Sequence, residues 1–337
     1  MQDILTCVMG LDVHRDIIVA CLAKGELGTD PEIEIRSFST LIPEMQKLRD
    51  WVLEADCHHV AMESTGIYWQ PIYEMLELCF DGQINILVVN ARHMKNVPGR
   101  KTDMRDAQWI ATLLRAGLLK GSFIPDKTFR ELRHLTRYRK SIVHDITAQK
   151  NRIDKFLQSS GFRFAAFLSD TFGASGRNII RHLMEYGSIS REALDKCLKT
   201  QTRKRIDEIL IALNGSLSEH QRGFLRMIFE HLEALEQHRH SVENAIAEEI
   251  TKHEKALSLL CSIPGIDVTA AAAIIAEIGT DMSAFPDSQH ICSWAGLSPG
   301  NNESAGKRKS AHINKGNPYL KSMLCVVGWV ISGTRTY

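Results

Sequence analysis

The chain has 337 residues, and its 41 Lys and Arg nearly balance its 40 Asp and Glu, for a formal net charge of +1. This length allows two or three domains, and 44% hydrophobic with 24% charged residues is ordinary for a globular protein. No apolar run reaches the roughly 18–20 residues of a membrane span, and Asp12 interrupts the amino-terminal run, which argues against a signal peptide. Eight scattered cysteines without a C-x-x-C pair favour reduced thiols in a cytoplasmic protein and argue against structural zinc.

The first third of the chain alternates short apolar runs with helical periodicity. Three β-type runs come first, followed by helix, strand, helix, strand and helix. This order is typical of an α/β layer structure. The predicted elements are strands over 6–11, 17–23 and 34–39, a helix over 42–55, a strand over 59–62, a helix over 68–78, a strand over 84–89 and a helix from the Asp103/Asp106 region.

Acidic residues lie where these strands end. Asp12 follows the first strand, Glu63 the fourth, and Asp103 and Asp106 stand three residues apart at a helix start, where both carboxylates face the same way. Such a cluster repels itself unless divalent cations neutralise it. An oxygen-only set favours Mg²⁺ or Mn²⁺ and suits phosphoryl chemistry, although two acids at a helix start are also a common solvated arrangement.

Positive charge is concentrated in two segments despite the neutral total. Nine cations against four acids lie between Asp126 and Lys155, and a second basic cluster lies near the carboxyl terminus. Local basic surfaces beside an acidic centre indicate a protein that holds phosphates, and a solvated scaffold face is the alternative. The candidate nucleic-acid-binding residues are Arg100, Lys101, Arg137, Arg139, Lys140, Lys307, Arg308 and Lys309.

Two long helices follow, joined by several short ones over 160–215. Residues 132–156 and 225–246 keep the 3-4 apolar spacing of a coiled-coil seam. The spacing fits either an antiparallel hairpin within one chain or a dimer seam.

The last segment combines a helical hairpin with a polar, basic loop. Residues 257–278 predict a helix-hairpin-helix around a Pro-Gly turn, although Asp267 replaces the second glycine often found there and weakens the expected phosphate contact. Ser304 lies on a glycine-bearing turn flanked by cations, from which a hydroxyl can attack a phosphodiester. An ordinary loop serine is the alternative.

Several motifs occur in a fixed order along nearly the whole chain. They are GLDVHRD, MESTGIYW, GRKTDMRDAQWIA, SIPGI, AEIG, SWAGLSPGNNESAGK and INKGNPYL. In these motifs the chain closely resembles transposases of the insertion-sequence-110 family, in its IS-1111-like branch.

The resemblance implies a chain that is α/β in its first part and all-α in the rest. Its first domain (1–125) would be ribonuclease-H/RuvC-like, with Asp12, Glu63, Asp103 and Asp106 as a DEDD metal-binding set. A helical coiled-coil and dimerisation region (126–255) would follow. The third domain (256–337) would be a mainly helical transposase domain with a helix-hairpin-helix and with Ser304 as the catalytic nucleophile.

The resemblance also implies function and partners. We expect a Mg²⁺- or Mn²⁺-dependent DNA recombinase that joins donor and target DNA through a serine–DNA intermediate. A structured bridge RNA would choose both DNAs, homodimers would form a synaptic tetramer, and the protein would be bacterial, cytoplasmic and nucleoid-associated. Beyond the resemblance, we predict that the acids of one subunit and the serine of another form a composite site when nucleic acid binds.

Three alternatives stay open at this point. One is a RuvC-like endonuclease that activates water, and another is a recombinase that inverts DNA sites by the same chemistry. The third is an inactive, truncated copy that only binds nucleic acid, because family chains of this branch usually continue past the position of Tyr337.

Overall fold

The computed structural model describes residues 3–64, 66–90, 106–299, 302–304, 307–310, 312–313 and 315–333, with only the backbone of 302–304 and 307–310. The chain forms two compact units, Met1–Ile124 (unit 1) and Pro125–Tyr337 (unit 2). The first predicted domain boundary lies next to this division, and the second, at residue 255, lies inside unit 2.

Unit 1 is built on a five-stranded sheet in the order β3-β2-β1-β4-β5. Strands β1, β4 and β5 are parallel, and β2 is antiparallel to both of its neighbours. The α/β pattern predicted for this part of the chain is therefore confirmed. The strands are β1 (Cys7–Val13), β2 (Ile17–Lys24), β3 (Glu32–Ser39), β4 (His59–Glu63) and β5 (Asn85–Val89).

Helices cover both faces of this sheet. One face packs on α1 (Ile42–Glu54) and α2 (Trp69–Glu77), where Leu11 and Val60 join Trp51 in a buried cluster. The other face packs on α3 (Asp106–Arg115), whose buried stripe meets alternate residues of the same strands. Side chains alternate between faces along a strand, so each residue of β1 and β4 belongs to one helix layer or the other.

Gly10 of β1 is where α3 approaches the sheet most closely. A Cβ atom at Gly10 would lie 2.3 Å from the Ala107 carbonyl oxygen and 2.5 Å from the Ala111 nitrogen. At the other end of α3, the Arg115 carbonyl accepts a hydrogen bond of 2.9 Å from the Ile4 N–H. The helix therefore runs antiparallel to β1, and its first turn lies toward the carboxyl end of that strand.

Unit 2 is mainly helical. Short 3₁₀ turns occur at Phe164–Phe167 and Thr251–His253, and a two-stranded sheet joins β6 (Asn302–Ser304) to β7 (Lys307–Ser310). Among the described residues of both units, no helix is long and apolar enough to cross a bilayer. The helices are α4 (Lys127–Ser159), α5 (Ala174–Tyr186), α6 (Arg191–Cys197), α7 (Thr200–Arg203), α8 (Ile206–Ala212), α9 (Glu219–Ile250), α10 (Glu254–Cys261), α11 (Val268–Ile278), α12 (Ser288–Ala295) and α13 (Pro318–Gly333).

The two long helices α4 and α9 pack antiparallel within the chain. Arg139 pairs with Glu243, whereas further along α4 the Gln149 side-chain amide donates to the Ile228 carbonyl at 2.6 Å. Apolar seam residues of both helices are buried in one core with the short helices between them. Of the two arrangements that the spacing allowed, the structure has the antiparallel pair within one chain, and dimerisation stays a prediction.

We expect Gly10→Ala to destabilise the protein by about 3 kcal/mol, because the new methyl group would force α3 away from β1. Urea unfolding followed by circular dichroism measures this loss. Gly223→Ala is the matched control, because a Cβ there meets no atom within 4 Å and alanine favours the helix. Equal stability of Gly10→Ala and wild type would contradict the close packing of α3 on β1.

Candidate functional site

Asp12 and Glu63 lie at the carboxyl edge of the sheet in unit 1. Strands β1 and β4 are parallel, and Leu11 pairs with Met62. The next residues of the two strands, Asp12 and Glu63, therefore lie side by side where the strands end. Leu11 and Met62 both face the α1–α2 layer, so alternation directs Asp12 and Glu63 to the face that α3 covers. Asp12 is only 9% exposed.

Asp106 lies in the first turn of α3, next to Ala107, whose carbonyl contacts the Gly10 position. The same edge and face of the sheet therefore carry Asp12, Glu63 and the helix turn that bears Asp106. The other residues predicted here, namely Arg100, Lys101 and Asp103, lie outside the described residues.

His14 is a neighbour of this edge that the sequence reasoning missed. Its Nε2 atom lies 3.2 Å from Asp12 Oδ2, and its side chain is 54% exposed. The two residues stand two apart where β1 ends, a spacing that places both side chains on one side of an extended chain. The DVH segment of the first motif carried this signal.

Asp12, Glu63 and Asp106 offer the type of ligand atom that a hard divalent cation binds. Carboxylate oxygens are the donors that Mg²⁺ and Mn²⁺ prefer. Within the part of the chain that the structure describes, no group of three or more His, Cys, Asp or Glu side chains is arranged to hold a metal ion. The fourth acid of the predicted set, Asp103, falls outside that part, so the full set is not tested.

Ser304 ends strand β6 in unit 2. Its backbone partner across the hairpin is Lys307, and the ladder has an irregularity at Asn302/Glu303. The strand pairing thus places the predicted nucleophile at the tip of a hairpin, directly across from a lysine.

The base of this hairpin is fixed by a close backbone contact. Pro299 forms an isolated β-bridge with Ile313. Gly316 then approaches so near to the end of α12 that a Cβ would lie 2.1 Å from the Gly296 nitrogen. The Asn317 N–H also donates to the Trp294 carbonyl at 2.9 Å. The SWAGLSPG and INKGNPYL motifs, which flank the hairpin in the sequence, therefore hold its two ends together.

A buried carboxylate connects this base to the long helix α4. Glu277 of α11 has a 2% exposed side chain, and it accepts from Arg137 at 2.8 and 2.9 Å. The Asn317 side-chain amide donates to the same carboxylate at 2.6 Å, and Arg133 lies 3.2 Å from it. Burial lowers the pKa of Arg133 to about 10 against the attraction of Glu277, so this arginine is still charged at neutral pH. We call these four residues the Glu277 cluster.

The predicted basic residues of α4 are thus engaged within unit 2. Arg137 binds Glu277, Arg139 pairs with Glu243 at 2.7 Å, and Lys140 donates to the Ser322 hydroxyl at 2.6 Å. Glu277 and Glu243 offset positive charge that a phosphate backbone would otherwise meet, whereas Lys140 keeps its charge beside a neutral hydroxyl. Their role in nucleic-acid binding stays a prediction, as does that of the second basic cluster, Lys307, Arg308 and Lys309, which lies on β7.

In the helical hairpin of α10 and α11, Asp267 is the residue that caps the start of α11. The Asp267 carboxylate accepts from the Ala270 N–H at 2.7 Å and caps α11. Gly265 holds the turn with a φ of 85°, a left-handed conformation that favours glycine. A backbone N–H that would otherwise face a phosphate is taken by Asp267, so the structure gives a physical reason for the weaker contact expected at this hairpin.

Comparison with known protein families identifies two segments of this chain. A transposase model, the DEDD domain of IS110 elements, matches residues 9–161, which include the strands and α3 of unit 1. A second model, for transposases of the IS116/IS110/IS902 family, matches residues 257–337, which include the Ser304 hairpin. The chain belongs to the IS110 family of transposases.

Two relatives agree with this assignment. The chain is 24% identical over 233 residues to a putative transposase, y4qE, of Sinorhizobium fredii, covering 68% of this chain and 47% of the relative. It is 26% identical over 245 residues to an uncharacterized 43.6 kDa protein of insertion element IS110 from Streptomyces coelicolor, covering 66% of this chain and 59% of the relative. The chain therefore spans about half the length of the curated relatives that it matches.

We expect Glu277→Ala to destabilise this transposase by about 3 kcal/mol, because the largely buried Arg133 would keep its charge without a counter-ion and the partly exposed Arg137 would lose its two hydrogen bonds. Urea unfolding measures the change. The control is Glu249→Ala, which breaks an exposed pair with Lys252 and should cost no more than about 1 kcal/mol. Similar losses in both variants would contradict a stabilising role specific to the Glu277 cluster.

Proposed function

We propose that this IS110-family transposase cuts and rejoins donor and target DNA with a divalent metal site and a serine nucleophile. The observation that carries the proposal is the convergence of Asp12, Glu63 and the first turn of α3 at one edge of the unit 1 sheet. Parallel strands that end in acids at a covered edge are a common place for a phosphoryl-transfer site.

The sheet order supports a ribonuclease-H/RuvC-like assignment for unit 1. A three-stranded antiparallel meander is followed by two parallel strands, and the acids come from the central strand, its parallel neighbour and a helix. Asp12, Glu63, Asp103 and Asp106 would hold Mg²⁺ or Mn²⁺. When bound, such ions supply Lewis-acid stabilisation of phosphate oxygens.

In unit 2, the proposed nucleophile is the hydroxyl of Ser304. Its oxygen would attack the phosphorus atom, the bond from phosphorus to one deoxyribose oxygen would break, and a serine–DNA phosphodiester would form. A free DNA hydroxyl would later attack this linkage, release Ser304 and rejoin the strand. Lys307 is the backbone partner of Ser304 and a candidate to offset negative charge on the phosphate.

The guide RNA and the assembly into dimers and tetramers are proposals that rest on family membership. The α4–α9 pair gives unit 2 a long helical surface for such contacts. A bridge RNA would explain how a chain with net charge +1, in which Arg137 and Arg139 of α4 already pair with acids, selects DNA, because base pairing would supply the specificity.

A second candidate function is a RuvC-like endonuclease in which water is the nucleophile. It is favoured by the position of Asp12, Glu63 and Asp106 in a unit with its own hydrophobic clusters. Such a unit contains acids enough for metal-assisted hydrolysis without the serine.

We expect Asp12→Asn and Glu63→Gln each to lower Mn²⁺ affinity and DNA cleavage by about 100-fold, because each removes a charged oxygen ligand. Titration calorimetry with Mn²⁺ and cleavage of a labelled element-junction DNA measure the two effects. Asp30→Asn, an exposed acid between β2 and β3 at the opposite edge of the sheet, is the control and should change neither. Unchanged Mn²⁺ binding in both site variants would contradict the metal site.

We expect Ser304→Ala to remove a covalent protein–DNA adduct that the wild type forms with junction DNA, guide RNA and Mg²⁺, since the attacking oxygen is lost. Denaturing electrophoresis of labelled DNA detects the adduct. Ser310→Ala, on the opposite strand of the same hairpin, is the matched control and should keep it. Cleavage without any adduct, equal in wild type and Ser304→Ala, would contradict the serine mechanism and support the water-activating endonuclease.

A further inference from the structure

Two cysteine side chains meet at the amino edge of the unit 1 sheet, opposite the edge that bears the acids. Cys7 begins β1, and Cys57 lies in the turn between α1 and β4. Met9 pairs with Val60 in the parallel ladder. Two residues earlier on both segments, Cys7 therefore lies beside His58, the residue after Cys57. Neighbouring strands are about 4.8 Å apart, which falls within the range of Cα separations that a disulfide spans.

The two side chains also belong to one packed cluster. Cys57 lies in the buried cluster beneath α1 and α2, and Cys7 packs against that cluster. The sulfur of Cys7 lies 3.8 Å from the Ala55 carbonyl oxygen, and that of Cys57 lies 3.4 Å from the His59 carbonyl oxygen. Cys57 is fully buried and Cys7 partly exposed, so an external reagent reaches Cys7 first.

A cation stands next to the more exposed thiol. Lys24 is the cross-strand partner of Cys7, and its ammonium group donates to the Ala55 carbonyl at 3.2 Å, the same oxygen that the Cys7 thiol approaches. The hydrogen bond from Cys57 and the charge of Lys24 lower the pKa of Cys7 to about 7, against burial and the charge of Asp56, and with a smaller effect of His58. The same contact and burial raise the pKa of Cys57.

We propose that Cys7 and Cys57 form a peroxide-reactive dithiol, in which Cys7 is the attacking thiolate and Cys57 the resolving thiol. The Cys7 thiolate attacks one oxygen of a hydroperoxide, the O–O bond breaks, and Cys7 sulfenic acid and an alkoxide or hydroxide form. The Cys57 sulfur then attacks the Cys7 sulfur and releases water, and a disulfide results. The peroxide is the oxidant in this sequence, and its two oxygen atoms leave as hydroxyl compounds.

The disulfide would join the first strand to the turn before β4 and close a long loop of unit 1. A crosslink of this kind restricts the unfolded chain, so the oxidised protein should unfold at a higher urea concentration than the reduced protein. This proposal is independent of the transposase mechanism, because it uses neither the acid edge nor Ser304.

The first test uses the reduced full-length wild-type protein. Hydrogen peroxide is added at pH 7, free thiols are alkylated, and a non-reducing digest is analysed by mass spectrometry. The expected product is a Cys7–Cys57 linked peptide that dithiothreitol reverses. The absence of this peptide while peroxide oxidises Cys325, the exposed cysteine of α13, would overturn the proposal.

The second test measures the alkylation rate of individual cysteines by iodoacetamide between pH 5 and 10. The rate at Cys7 should rise with a midpoint near 7, as the pKa of about 7 requires, below that of free cysteine, whose thiol pKa is about 8.5. A Cys7 midpoint equal to or above that of free cysteine, measured under the same conditions, would contradict the proposal.

Two variants separate the roles of the thiols. Cys57→Ser should leave a Cys7 sulfenic acid that dimedone labels, since the resolving thiol is gone. Cys7→Ser should show no peroxide-dependent label at Cys57. Dimedone labelling at Cys57 in Cys7→Ser would reverse the assigned roles and overturn the proposal, and circular dichroism of both variants verifies that they are folded.

Discussion

The Glu277 cluster is the interaction on which the arrangement of unit 2 depends. One buried carboxylate joins α11 to α4 through two arginines and joins both to the start of α13 through Asn317. A charge in such a place is costly unless all its oxygens have partners, so the three elements stabilise the carboxylate only when they are assembled together. The ends of the Ser304 hairpin are held by the neighbouring Gly316 contact. The position of the proposed nucleophile therefore depends on the ion pairs and hydrogen bonds of Glu277 at the base of its hairpin.

Unit 1 positions its acids by a different means, the absence of a side chain. Gly10 lets the backbone of α3 lie directly on β1, and the face of the sheet two residues later carries Asp12. The depth of the helix on the strand fixes how near Asp106 comes to the strand ends. Steric fit in unit 1 and charge pairing in unit 2 thus each fix the position of a proposed site residue near the end of a strand.

Much of the fold could be predicted from local patterns. The order of strands and helices in unit 1 and the long helices of unit 2 follow from apolar periodicity. The partners of the cations could not be predicted, because Arg137 and Glu277 are 140 residues apart and Glu277 stands as a single acid in an alanine-rich helix. The basic cluster therefore looked like a free surface in the sequence, whereas Arg133, Arg137 and Arg139 pair with acids from other helices. The site itself was predicted only in part. The Asp12–His14 spacing was present in the sequence but a lone histidine after a strand does not reveal its partner, and three predicted residues lie outside the described chain.

The buried Gln149 has a consequence for how the long helices can move. The apolar side chains of α4 and α9 repeat every seven residues. Sliding one helix along the other by one repeat, about 10 Å, would therefore preserve most apolar contacts. Gln149 breaks that degeneracy, because its amide matches a single carbonyl, that of Ile228, and Arg152 holds its oxygen. If one helix slid by a repeat, the Gln149 amide and the Ile228 carbonyl would be buried without hydrogen-bond partners. The α4–α9 pair can therefore tilt or move as one body, whereas sliding of one helix along the other is opposed by the Gln149 hydrogen bonds.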